Sequence, residues 1–215
     1  MKLTQLTEML ALQDKLNTRV DADWRQRGNR WTRAIVMEGA EALEHYGWKW
    51  WKQQTPDMPQ VHLELVDIWH FILSYAIEHF ESPADYIANS IVVTNDKLEF
   101  LTGLDVRMNF EKLIAGAAMG EITFSVFVAL MHQTGLSWDK LYEIYVAKNV
   151  LNMFRQDHGY KQGIYIKNWD GKEDNEVLAG LIEIAAYDEG VPDVALLYAQ
   201  LETIYAYLPR LRAVA

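Results

Sequence analysis

Residues 31–52, WTRAIVMEGAEALEHYGWKWWK, and residues 61–75, VHLELVDIWHFILSY, decide the fold of this chain. In both, apolar side chains recur every three or four positions, the period of a helix face rather than the alternation of a strand. The first stretch predicts a helix over 31–46 that stops at Gly47. The second follows Pro56 and Pro59, takes Asp57 as its cap, and carries Val61, Leu65, Ile68, Ile72 and Tyr75 on one stripe. Toward the N-terminus, Leu3, Leu6, Leu10, Leu12 and Leu16 mark another amphipathic helix. Toward the C-terminus, Ser82-Pro83 interrupts the pattern, a short helix is expected over 85–93, and a loop around Gly103 follows. Residues 110–134 form one long apolar segment whose Gly116, Ala117, Ala118 and Gly120 suit a helix-packing or subunit contact, or equally a tight core crossing. After Gly135 and Ser137, Leu141, Ile144, Tyr145, Lys148, Leu151 and Phe154 share a helix face, and two further helices are expected over 173–187 and 193–208. Brief alternation occurs only at 163–166. The reading is an all-α helical bundle, a single domain over 1–215.

Composition narrows the chemistry. The chain has 215 residues, half of them apolar, which is ample for one core. It has no cysteine, so disulfides, thiolate metal sites and thiol nucleophiles are excluded, and any metal must be held by oxygen or imidazole. The N-terminal stretch lacks the continuous apolar run of a signal peptide or membrane span, so a soluble, cytoplasmic protein with no membrane contact is expected. A formal charge of -10 argues against a nucleic-acid polymer as partner, because duplex binding relies on a basic face. Two local basic runs suit small anions such as phosphates: Arg25, Arg27, Arg30 and Arg33 without an acid among them, and the segment from Lys148 to Lys172. Most such runs are simply solvated faces.

Four acids carry the chemical signal, paired as Glu38-x-x-Glu41 and Glu64-x-x-Asp67 within apolar helical stripes. Residues three apart share a helix face, so each pair points two carboxylates the same way. A single such pair is usually solvent-facing. Two pairs beside core residues would repel one another and lose hydration unless a cation or proton compensates. Oxygen-only ligation favours Mg2+, with Mn2+ as a substitute. Asp67-x-x-His70 also has the spacing of di-iron helical bundles, but no convincing second carboxylate-histidine motif accompanies it. A purely structural dimerisation protein would leave the clustered acids without a purpose.

These acids and the words around them resemble the all-α nucleoside triphosphate pyrophosphatases, and specifically the dimeric dUTP pyrophosphatases. The resemblance rests on LALQDKLN at 10–17, the stretch from Ala34 to HYGWKWWK at 45–52, LELVDIWHF at 63–71, and YVAKNVLNMFRQDHGYKQGIYIKNWDGKEDN at 145–175. It covers most of residues 1–180. It implies a homodimer that hydrolyses dUTP, and dUDP, to dUMP, with attack at the β-phosphorus of dUTP. It further implies Glu38, Glu41, Glu64 and Asp67 as ligands of Mg2+, with the catalytic water handled by the first pair, Glu38 or Glu41. Lys148, Asn149, Arg155, Lys161 and Lys167 fall in the family's phosphate-contacting region, and their cationic and amide donors suit that task.

For base and sugar, Gln13 and Asn17 lie one helical turn apart and offer amide groups, while Trp48, His70 and Phe71 offer stacking and edge contacts. Telling uracil from cytosine requires a polar group that the wrong base leaves unpaired, a role suited to an amide. Taken singly, the tryptophans are equally suited to core or interface anchoring, and His70 to a core position. A dCTP pyrophosphatase, or one acting on several noncanonical nucleotides, is the closest competing reading within the superfamily.

Overall fold

The computed structural model describes residues 1–186 and 193–212, so position 187 of the helix expected over 173–187 lies outside the described residues, as do 187–192 and 213–215 of the expected domain. The described residues form α1 (Leu3–Val20), α2 (Trp31–Tyr46), α3 (Met58–His79), α4 (Pro83–Thr102), α5 (Val106–Ala118), α6 (Phe124–Thr134), α7 (Trp138–Asp157), α8 (Asp174–Ala186) and α9 (Val194–Arg212). A single 3-10 turn spans Trp24–Gln26, and a two-residue hairpin, β1 (Asn168–Trp169) with β2 (Lys172–Glu173), precedes α8. The protein is an all-α helical bundle. No helix among the described residues is long and apolar enough to cross a membrane.

α3 is the hub. Its Val61, Leu65, Ile68 and Ile72 are buried as the stripe predicts, but so are Leu63, Val66, Trp69, Leu73 and Ala76, and it packs on α1, α2, α4, α6, α7 and α8. A helix apolar all round belongs in the middle of a bundle, not on its surface. α2 and α3 run antiparallel. The Asp57 amide bonds to the His45 carbonyl where one helix ends and the other begins, and Trp31 at the start of α2 donates its indole N–H to Glu78 near the end of α3. One connected core runs from Leu6 to Leu208.

Local chemistry sets the boundaries. Gly47, at φ +87°, ends α2 where a side chain would be strained. Asp57 caps α3 by accepting from the Gln60 amide, and Ser137 caps α7 by accepting from Lys140.

Two expectations differ from what the chain does. α4 runs over Pro83–Thr102 rather than 85–93, because Pro83 is tolerated in a first turn and Thr94, buried on the same face as Ile87 and Leu101, satisfies its hydroxyl on the Ser90 carbonyl. The segment 110–134 is two helices. α5 closes with the Glu121 amide on the Gly116 carbonyl and the Gly120 amide on that of Ala117, and Gly120 is at φ +90°. A Cβ on Gly116 would come within 2.4 Å of Thr123 Cγ2, so its missing side chain serves that turn rather than a subunit contact. Strand pairing among the described residues lies across the Asp170-Gly171 turn, where both residues have positive φ, and not at the brief alternation of 163–166.

Candidate active site

α2 and α3 carry the acids to one place. One carboxylate oxygen each from Glu38, Glu41 and Glu64 lies within 4.8 Å of the others. Asp67, one turn after Glu64, faces the same group and contributes to raising the pKa of both Glu38 and Glu64. Its Oδ2 is 2.8 Å from Lys148 Nζ, a fully buried lysine on α7. His45 Nε2 stands 3.7 Å from Glu64. Burial first, and then the neighbouring carboxylates, push Glu38 up to about 9 and Glu64 up to about 7, and the two acids are hydrogen-bonded to one another. Four carboxylates thus gather beside Lys148 and His45, with Arg155 acting on Asp67 from the cleft wall. That donor set, all oxygen and short of positive charge, fits a hard divalent cation.

A second layer fixes the cationic side chains. Asp174, wholly buried at the start of α8, accepts two bonds from Arg155, both 2.8 Å, and a third from the Tyr165 hydroxyl. Asn175 Oδ1 accepts from Lys148 Nζ at 2.6 Å and from Arg155 Nη2 at 3.0 Å. The tight turn of the hairpin delivers these two residues, so the 168–175 segment braces α7. No sequence signal singled out Asp174 or Asn175.

Beside the acids opens a cleft of about 610 Å³, walled by α1, α2, α3, α7 and the 20–31 connection. Glu38, Asp67 and Arg155 line it, and so do Gln13, Asn17, His70 and Phe71. Trp31 stacks on Phe71 with ring centroids 6.4 Å apart. Trp31 precedes Glu38 by seven residues, or ~10 Å of helix, so the cleft runs from a carboxylate end to an aromatic end. Gln13, Asn17, Ser74 and His70 form a closed hydrogen-bonded ring. Ser74 Oγ donates to the His70 carbonyl, Asn17 Nδ2 donates to Ser74, Gln13 Nε2 donates to Asn17, and Gln13 Oε1 lies 2.6 Å from His70 Nδ1. With both amides so oriented, Nδ1 carries the imidazole proton and Nε2 is a bare lone pair. His70 stays neutral, its pKa lowered to about 4 chiefly by burial. It is bonded to Gln13 and lies outside the group formed by Glu38, Glu41 and Glu64.

The remaining candidates are not among the residues that line the cleft. Trp48 is half-exposed, bonded to Glu44 and edge-on to Trp51. Asn149 is buried against the Leu12 carbonyl on α1. Lys161 bonds to the Val20 carbonyl and Lys167 pairs with Glu173. Cleft residues that sequence reasoning did not single out are Trp24, Asn29, Trp31, Asn152, Gln156 and Tyr160. Arg30, in the cleft wall, belongs to the basic run of 25–33, whereas Arg25 and Arg27 are spent on Asp14 and Asp21. Trp24 carried no signal beyond being aromatic.

No curated protein matches the chain closely enough to be informative. Residues 5–160, a span that includes every side chain lining the cleft and all four clustered acids, match the profile of a family described as dUTPase. A match over that much of an all-helical chain, in the region that builds its cleft, settles the kinship: the chain belongs to the dUTPase family, of the all-α kind, and is a dUTP diphosphatase.

Proposed function

We propose that the protein hydrolyses dUTP, and also dUDP, to dUMP in the cleft between α1, α2, α3 and α7, with magnesium as its metal. The observation that carries this reading is the convergence of Glu38, Glu41 and Glu64, with Asp67 adjoining, at one end of a cleft whose other end is aromatic and amide-lined. Members of the family use a divalent metal. When bound by these four acids, it supplies charge neutralisation for the phosphate chain and a more acidic water. Glu38, the member of the first acid pair that lines the cleft, takes the proton of the attacking water once its own has been displaced by the metal. Arg155, braced by Asp174 and Asn175, and Arg30, both in the cleft wall, hold the phosphate chain and the pyrophosphate it yields. Lys148 neutralises Asp67 and aligns it rather than meeting substrate. Phe71 and Trp31 flank the base, and the His70 Nε2 lone pair accepts from uracil N3–H, a donor that cytosine lacks.

The remaining expectations belong to the same reading. A single domain is supported by the connected core, and a homodimer by the exposed apolar side chains of Val92, Val93 and Phe100 on α4. Absence of cysteine suits a cytoplasmic setting. The reading is tested by pyrophosphate release from dUTP, dCTP, dTTP and UTP, and phosphate release from dUDP, with Mg2+ and with EDTA. dUTP should lead the triphosphates by a wide margin, and EDTA should abolish turnover. Preference for dCTP would overturn the substrate, and full activity in EDTA the mechanism.

A further inference from the structure

Two buried ring nitrogens in the cleft wall have no partner among the described residues, His70 Nε2 and Trp24 Nε1. They have opposite polarity. The histidine nitrogen is a lone pair, whereas an indole N–H can only donate. Trp24 is 2% exposed and held on several sides. Its carbonyl accepts from Asn29 Nδ2 at 3.2 Å, its ring meets Trp31 edge-on at 5.7 Å, and the Arg25 guanidinium covers it at 4.7 Å. A donor buried in a cleft wall without an acceptor is costly, and an oxygen of a bound ligand would relieve that cost. Trp24 meets Trp31, which precedes Glu38 by seven residues on α2, so this donor lies toward the aromatic end of the cleft. With the phosphates at the acids, that end receives the base.

We propose that Trp24 Nε1–H donates a hydrogen bond to one of the two ring carbonyl oxygens that flank N3 of the bound uracil. The contact rests on the dUTPase reading above and deepens it: the cleft wall that carries the His70 acceptor also carries the Trp24 donor, the two polarities that an imide edge, a carbonyl next to an N–H, calls for. Trp24 is thereby a specificity residue that touches substrate at the base, remote from the bond that breaks. Its loss weakens ground state and transition state alike, which raises KM and spares kcat.

The test compares wild type with Trp24→Phe and with a protein carrying β-(3-benzothienyl)alanine at position 24, which keeps the ring shape and loses only the N–H. Steady-state hydrolysis of dUTP, 2-thio-dUTP and 4-thio-dUTP is measured, together with calorimetric binding of dUMP. Both replacements should raise KM for dUTP and weaken dUMP binding about fivefold to tenfold, the scale of one neutral hydrogen bond, with kcat within about twofold. One of the two thio substitutions should raise KM in wild type and have no further effect in either variant. Unchanged dUMP binding by the benzothienyl protein, or thio effects that add fully to the substitution at both positions, overturns the proposal while leaving the dUTPase reading intact. A wild type that hydrolyses dCTP as well as dUTP overturns that reading and this one with it.

Discussion

Glu38 and Glu64 share a hydrogen bond that only a proton or a cation makes tolerable, and this has consequences for stability as well as chemistry. In the unfolded chain both titrate near 4.5; in the folded, metal-free protein Glu38 holds its proton to about 9 and Glu64 to about 7. The stability this contributes is complete below pH 4.5 and is lost as pH rises through the folded values. His70, depressed from 6.5 to about 4, acts in the opposite sense, but only below pH 6.5. Between pH 6.5 and 9, therefore, thermal denaturation in EDTA should show Tm falling with pH, and magnesium should flatten the curve. A Tm that is flat or rising in EDTA would contradict the assignment. Glu64→Gln removes one of the repelling charges, so it should raise Tm in EDTA at pH 8 while lowering dUTP turnover by roughly a hundredfold or more. Lys148→Met should do the reverse to stability. It strands the Asp67 and Asn175 partners of a fully buried cation and should cost about 3–5 kcal/mol in urea denaturation.

Among the elements, α2 is the most constrained. A Cβ on Gly39 would stand 2.9 Å from Ile114 Cγ1, so α2 and α5 approach closely between the two acids. Gly39→Val should therefore destabilise by about 1–3 kcal/mol through overpacking and should also disturb the spacing of Glu38 and Glu41, so activity falls more than stability. Wild-type turnover in the folded Gly39→Val variant would contradict the coupling. The same helix explains what the sequence makes legible. Its span over 31–46 follows from punctuation within the segment itself, with Gly47 at its end, and the pairing of its acids follows from three-residue spacing. α4 and the break at Gly120 were harder, because a buried threonine interrupts one apolar pattern and a continuous apolar run conceals the other. Tertiary features left no local mark at all: the Asp174–Asn175 brace depends on a hairpin folding back on α7, and the closed ring through Gln13, Asn17 and His70 joins side chains 57 residues apart. Trp48 and Asn149 have suitable chemistry for a nucleotide, yet bond elsewhere.

For the whole molecule, an acidic net charge and a cationic cleft wall are compatible because Arg30 and Arg155 line the cleft while basic residues such as Lys2, Lys49, Arg107 and Lys140 pair with acids elsewhere on the surface. The apolar face of α4, with Val92, Val93 and Phe100 more than half exposed, is the feature a lone bundle would not keep in water. Sedimentation should accordingly give about twice the monomer mass, and Phe100→Glu should shift the protein toward monomer; a wild type that sediments as a monomer would contradict this. The central claim is that Glu38, Glu41, Glu64 and Asp67 form one cation-holding site. It is tested most directly by anomalous diffraction from crystals soaked in Mn2+ with a non-hydrolysable dUTP analogue. Peaks should lie about 2.0–2.3 Å from carboxylate oxygens of all four residues, with the analogue's phosphates completing the shell. Manganese bound elsewhere, with these four acids left to share protons, would contradict it.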